Sequence, residues 1–329
     1  MSRATLAVQD LKIGYKVYGG LLKVVDGLTL EVGPGERIGL VGETGCGKTT
    51  VMKAILRLLP AQGRVSQGHV LFEEKDVLAM SAAEVRQFRR QGIAMVFQDP
   101  TAALNPVFTV GTQIQEALFN SGGKRRSRRE LHQEALSILT KVALPDPERI
   151  LTNYPFQLSG GMRQRTCIAL ALSTARKLLI ADEPTTSLDV TIQAEILELV
   201  DQIVRGQNTS FVLITHSLGV ARHMTDRIYV MYAGTIVETA ATADLYRSPL
   251  HPYTVGLFAS VPRLTGEGFA DGIPGRLPDY LDPPAGCRFQ PRCQHATQRF
   301  GREKPLLREA APGHSVACFL FDGAGGRNG

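Results

Sequence analysis

The sequence predicts an α/β fold: a mainly parallel, covered sheet around a glycine-rich phosphate-binding loop, with an antiparallel β subdomain, a helical insertion and a C-terminal extension. Three observations carry this. Residues 42–49 read GETGCGKT, between an apolar run, RIGLV at 37–41, and a stretch at 48–59 with apolar residues at helical spacing that stops before Pro60. Short apolar runs then alternate with helical patterns from Gly39 to Met231, the order of covered parallel strands joined by helices. The 329 residues are ordinary in composition and allow one large α/β domain plus something smaller.

In the loop, Gly42, Gly45 and Gly47 permit dihedrals that turn several N–H groups onto one anion, at the positive end of the following helix. Lys48 then reaches β- and γ-phosphates, and the Thr49 hydroxyl is placed to ligate Mg²⁺. Before the loop, residues 6–17 and 28–32 alternate apolar and polar as half-covered antiparallel strands do, and VGPGE at 32–36 turns into the loop strand. Tyr15 sits on the first of these, as a stacking face for an adenine ring or as a core tyrosine. After the loop, residues 68–74 predict a strand, 81–90 a short polar helix capped by Ser81, and 93–97 a buried strand that ends at Gln98. The following QDPTAALNPVFTVG holds two prolines, an Asn and a Gly. It predicts an irregular loop at the carboxyl end of a strand, where ligands sit in such folds. Helical patterns follow at about 110–120 and 127–142, with the basic run KRRSRR at 124–129 read as a solvated loop or as a contact for lipid head groups or nucleic acid.

Ser159, Gly160 and Gly161 open a helix over 162–175, whose free N–H groups, hydroxyl and dipole make a second anion site. Residues 178–181 form a short apolar strand that delivers Asp182 and Glu183 at its carboxyl end. In a chain with a phosphate loop, Asp182 suits the Mg²⁺ shell and Glu183 a general base facing water, rather than a pair of acids that only cap the next helix. Residues 190–205 predict a helix, and 210–215 a buried strand ending in His216, placed to hydrogen-bond a γ-phosphate or to serve structure. A hairpin of 227–232 and 235–239 around Ala233 and Gly234 closes the series.

The net charge of +6 points to an anionic partner. No apolar run approaches the ~20 residues of a membrane span, and the first residues lack the apolar segment of a secretory signal, so the chain is expected in the cytosol unless tethered. Its five cysteines then argue against a disulfide framework. Cys46 and Cys167 read as small packing residues, while Cys287, Cys293 and Cys318 gather in the last segment, where metal ligation arises.

In this order the motifs resemble the nucleotide-binding subunit of ATP-binding cassette (ABC) transporters, from about Leu6 to Ala240. Residues 42–49, with Glu43, Thr44 and Cys46 between the glycines and Thr50 after them, look like the Walker A motif, and Gln98 like the Q-loop glutamine. LSGGMRQ at 158–164, ending in Gln164, is similar to the family signature, and LLIADE at 178–183 to Walker B with its catalytic acid. SLD at 187–189, ending in Asp189, resembles the D-loop, His216 the H-loop switch, and Tyr15 the A-loop aromatic. The resemblance implies a P-loop NTPase of the ABC cassette type over residues 1–245, with the helical insertion at about 99–175. It implies ATP and Mg²⁺ as cofactors, Mg²⁺ on Thr49, Gln98 and Asp182, and a catalytic set of Glu183, His216, Gln98 and Lys48. It also implies a head-to-tail dimer with a second ABC ATPase subunit, self or paralogue, in which Ser159, Gly160 and Gly161 of one copy close over ATP held by the other.

HPYTVGLFASVP (251–262), IPGRLPD (273–279) and GCRFQPRC (286–293), then His314 and Cys318, are similar to the extension of ATPases from dipeptide, oligopeptide and nickel importers; residues 246–329 are assigned to it. Many such extensions hold an iron–sulfur cluster on four cysteines. Cys287, Cys293 and Cys318 match three of those positions, but the third in order falls at Phe300, which cannot ligate, so a cluster would need His295, His314 or an outside ligand. The tail is expected to pack as a proline-rich cap. The function implied is ATP hydrolysis at the cytoplasmic face of the inner membrane, by a peripheral subunit. It would power uptake of di- or oligopeptides, or a small solute such as nickel, through two separate permease subunits fed by an extracytoplasmic solute-binding protein, with no nucleic-acid partner. The alternative, a soluble ABC ATPase acting on ribosomes or DNA, would bring two cassettes in one chain or long coiled-coil insertions, and a small-metabolite kinase leaves LSGGMRQ unexplained.

Overall fold

The computed structural model describes residues 4–121, 126–173, 176–185, 189–260 and 272–322. They divide into two compact units, one of Met1–Thr5, Gly33–Glu36 and Met80–Leu213, the other of Leu6–Val32, Arg37–Ala79 and Ile214–Gly329.

The first unit is helix-rich. Strand Leu178–Asp182 is buried at every position and pairs in parallel with Ile93–Val96, Ile93 opposite Leu178 and Val96 opposite Ala181. Such a strand reads as an unbroken apolar run because both faces are covered. Helix Ala82–Gln91 starts at a capping box in which Ser81 and Glu84 satisfy each other's backbone N–H groups, and Arg128–Lys141 starts on the same device with Ser127 and Glu130. Val110–Asn120 buries Val110, Ile114 and Leu118, one stripe at helical spacing, and packs beside Arg128–Lys141. Two expectations shift here. A short helix, Pro100–Ala103, stands within the segment expected to be irregular, because Asp99 accepts from the Thr101 N–H and Pro100 is pre-set for a first helical position. The helix expected over 162–175 is Gly160–Leu172, and residues 174–175 lie outside the described residues. Lys124 and Arg125 of the basic run, and Ser187 and Leu188 of SLD, also lie outside them.

The second unit holds an antiparallel sheet in the order Gly20–Val32, Leu6–Val17, Gly63–Phe72, Lys75–Asp76. Leu6 faces both Val32 and Phe72 across it. The second and third strands start earlier than expected, at Gly20 and Gly63, since cross-strand pairing with Leu6–Val17 carries them past their own apolar runs. In its other sheet, Arg37–Val41 runs parallel to Arg227–Tyr232, which pairs antiparallel with Thr235–Ala241. The tail differs from a simple cap: the hairpin Arg308–Ala311 with His314–Val316 adds itself to that sheet, Glu238 opposite Val316. Beneath lies a core of Val41, Ile228, Val230, Tyr232, Tyr253 and Phe289, the last two contributed by the extension.

Candidate functional site

The loop at 42–49 is set by the strand before it. Arg37–Val41 is buried along nearly all its length and delivers Gly42 at φ 155°, where an added Cβ would lie 2.1 Å from the Met231 carbonyl oxygen. No side chain fits there. Gly47, at φ 108°, caps helix Lys48–Ile55 without a side-chain hydrogen bond, and the first turn carries no acidic residue. That helix end has no side-chain cap and no acid to offset its dipole, the arrangement an anion needs. Lys48 is buried, with its ammonium donating to the carbonyl oxygens of Gly42 at 2.7 Å and Glu43 at 3.0 Å. Cys46 is buried as expected of a packing residue; burial pushes its thiol up, against the pull of the Lys48 charge.

Thr44 and Gly45 are exposed, and Thr49 and Thr50 half-buried. The Tyr15 hydroxyl donates to Thr50 Oγ1 at 3.4 Å, and its ring packs against Gly63, so the aromatic stands beside the loop helix. His216 is exposed directly after the buried end of strand Ser210–Thr215. Sequence reading missed three further contacts. The Glu43 N–H donates to the Tyr253 hydroxyl at 2.9 Å, the Glu43 carboxylate meets Arg292 at 3.0 Å, and the Tyr280 hydroxyl donates to the Gly45 carbonyl at 2.8 Å. These partners lie more than 200 residues from the loop, beyond the reach of any local pattern.

On the first unit, Asp182 is 3% exposed at the end of its strand. Glu183 follows at φ 46°, and its Oε2 accepts from the Gln98 amide at 3.1 Å. Ser159 and Gly160 are exposed at the start of Gly160–Leu172, the Ser159 hydroxyl accepting from the Met162 N–H at 3.3 Å. Gly161 and Gln164 are turned inward. Gln164 is 1% exposed, on the stripe that continues through Ile168 and Ala171, and its Nε2 has no partner. Helical phase thus sets Gln164, named with the signature motif, on the buried side of its helix. Asp189 is exposed and caps Val190–Gln207 by accepting from the Ile192 N–H.

The hydroxyl of Thr49, the amide oxygen of Gln98 and the carboxylate of Asp182 are hard oxygen donors of the kind Mg²⁺ takes. The tail thiols do not make a matching set for iron. Cys287 and Cys293 pack half-buried against the aromatic core, and burial pushes the Cys318 thiol up to about 11. Phe300 is buried against Phe319, ring centroids 5.1 Å apart, and His314 is taken up by Glu238 at 2.7 Å. Among the described residues no group of three or more His, Cys, Asp or Glu is placed to hold a metal ion. Cys287 and Cys293 thus contribute to the packing of the tail, the part expected from the sequence to form a proline-rich cap.

Residues 25–186 match the family model for ABC transporters, and 237–299 the model for the oligopeptide/dipeptide transporter C-terminal region. The chain is 45% identical over 319 residues to the dipeptide transport ATP-binding protein DppD of Bacillus subtilis (strain 168), covering 96% of this chain and 95% of that one. It is 41% identical over 317 residues to the oligopeptide transport ATP-binding protein OppD of Escherichia coli (strain K12), covering 96% and 93%. Among solved structures, the dimeric post-hydrolysis state of the ATP-binding cassette MJ0796 bound to ADP and Pi matches with a TM-score of 0.66 at 26% identity, over 72% of this chain and 98% of that one.

Proposed function

Because the chain belongs to the ATP-binding subunits of ABC transporters, in the group serving dipeptide and oligopeptide transport, we propose that it binds ATP on residues 42–49 and couples its hydrolysis to peptide uptake through separate membrane subunits. The observation that carries this is the loop itself: a glycine cradle whose first position admits no Cβ, a helix start with no side-chain cap and no acid, and a buried ammonium beside them. In this reading Lys48 places positive charge at the β- and γ-phosphates, Tyr15 stacks on the adenine, and His216 hydrogen-bonds the γ-phosphate. Glu183 accepts the proton of the attacking water, oriented by Gln98. Thr49, Gln98 and Asp182 would hold Mg²⁺, which neutralises charge on the triphosphate when bound.

Residues 1–245 act as the cassette and 246–329 as its extension. Ser159 and Gly160, at an exposed helix start, close over ATP held by a second ATPase subunit, with Asp189 communicating between the copies. Among the described residues no helix is long and apolar enough to cross a membrane, so the pore belongs to two permease subunits. The ATPase sits on their cytoplasmic side, and an extracytoplasmic binding protein delivers the solute. The test is reconstitution of the full complex in vesicles with Lys48→Ala. ATP binding, ATPase activity and peptide uptake are expected to fall to background together; peptide-stimulated turnover that survives the substitution refutes the assignment.

A further inference from the structure

We infer that the extension braces the phosphate loop, with Tyr253, Arg292 and Tyr280 as positioning residues that fix residues 43–45 for the triphosphate. This rests on residues 42–49 being the ATP site. The loop's second residue is held at both ends: its N–H by the Tyr253 hydroxyl at 2.9 Å, its carboxylate by Arg292 at 3.0 Å. Its carbonyl in turn accepts from the Lys48 ammonium at 3.0 Å. Whatever turns Glu43 therefore turns the group that the lysine leans on. Further round the loop, the Gly45 carbonyl accepts from Tyr280, whose own carbonyl accepts from the Lys23 N–H at 2.7 Å.

Each anchor is fixed from behind. Tyr253 is fully buried, its ring 4.6 Å from that of Tyr232 and 5.6 Å from that of Phe289. Its helix, Pro252–Ala259, begins at His251, whose Nδ1 accepts from the Tyr253 N–H, while the Leu250 and His251 N–H groups donate to the buried Glu238 carboxylate at 2.7 and 2.9 Å. The Arg292 side chain is 4% exposed, and its Nε and Nη2 donate to the carbonyls of Pro274 and Ile273 at 2.9 and 2.8 Å. Rigid donors and acceptors set around a loop remove conformational freedom before the ligand arrives, so that binding does not have to supply the ordering. Arg292 has a second effect. A carboxylate beside a triphosphate repels it, and the buried guanidinium neutralises Glu43 where screening by water is weak.

The test uses the full-length chain, with ATP binding by equilibrium dialysis and ATPase kinetics in the complex with its permeases. Tyr253→Phe and Tyr280→Phe, each losing one hydroxyl, are expected to raise the ATP Kd and KM by ~3–10-fold with kcat changed less than about twofold, the size of one hydrogen bond. Arg292→Gln is expected to weaken ATP by ~10-fold or more, and pairing it with Glu43→Gln to restore most of that loss; Arg292→Lys recovers part of it. A merely structural arginine would not be rescued by removing the opposite charge. Lys48→Ala separates the layers. If it abolishes ATP binding while all the brace variants bind ATP within twofold of the wild type, the brace is overturned and the site stands. If it leaves ATP binding intact, the site assignment falls and the brace with it.

Discussion

Glu183 joins an unusual backbone to the proposed task of general base. Its φ of 46° puts a residue with a Cβ in the left-handed region, at roughly 1–2 kcal/mol. The preceding Asp182 is buried in a covered strand and the Gln98 amide meets the Glu183 carboxylate, so the turn is held from two sides. A carboxylate aimed by a strained turn is a pre-organised proton acceptor. Glu183→Gln preserves shape and loses basicity; ATP binding is expected to persist while the single-turnover hydrolysis rate falls by ~10²–10⁴-fold, and an unchanged rate would remove Glu183 from the base role. Gly42 makes the opposite case, a residue needed for what it lacks. Gly42→Ala drives a Cβ to 2.1 Å from a backbone oxygen of the neighbouring strand. Stability is expected to fall by ~2 kcal/mol or more, read in denaturant unfolding, with ATP binding lost at temperatures where the variant is still folded.

At the scale of elements, helix Pro252–Ala259 depends on one imidazole. His251 is 1% exposed, and burial holds its pKa down to about 3 from an ordinary 6.5. Because the folded pKa lies below the unfolded one, the stability it confers is complete above about pH 6.5 and declines towards pH 3, by at most ~1.4 kcal/mol per pH unit. Asn caps helices without titrating, so the difference in unfolding free energy between wild type and His251→Asn should stay flat near neutral pH and shift against the wild type as pH falls below 6.5. A difference that stays constant down to about pH 5 would contradict a neutral, buried cap. The local part of this architecture was legible in the sequence: Val110–Asn120 and Ser210–Thr215 fall where periodicity and apolar run length place them, and Ser81 caps its helix as expected. What was not legible is non-local. The helix Pro100–Ala103 hid in a segment whose prolines argued for a loop, and the strand His314–Val316 finds its partner Thr235–Ala241 across the whole extension. Tyr253 meets Glu43 across 210 residues, a pairing that composition and spacing cannot announce.

At the scale of the whole molecule, the two proposed anion-binding elements differ in what they do alone. The loop at 42–49 is complete as a cradle, with its lysine, its open helix end and its anchors. The helix start at Ser159 and Gly160 is exposed, caps itself through Met162 and holds no charged side chain in its first two positions. A helix N-terminus gives an anion only a fraction of a charge, which suits a lid over phosphates already gripped rather than a binding site in its own right. The matched cassette solved with ADP and Pi is a dimer, and the proposed closure by a second subunit supplies such a lid. Ser159→Arg adds bulk and leaves the loop's own residues untouched. The variant chain is expected to bind ATP with a Kd within about twofold of wild type, while the assembled complex loses ~10²-fold or more of its turnover, as removal of one positioned group in a closed site does. In a complex that pairs two different ATPases, only the site facing the altered helix should fail. Titrating wild-type against variant subunits and following ATPase activity separates the cases. Loss in proportion to variant-containing pairs supports closure between copies, and full turnover from complexes made wholly of variant subunits excludes it.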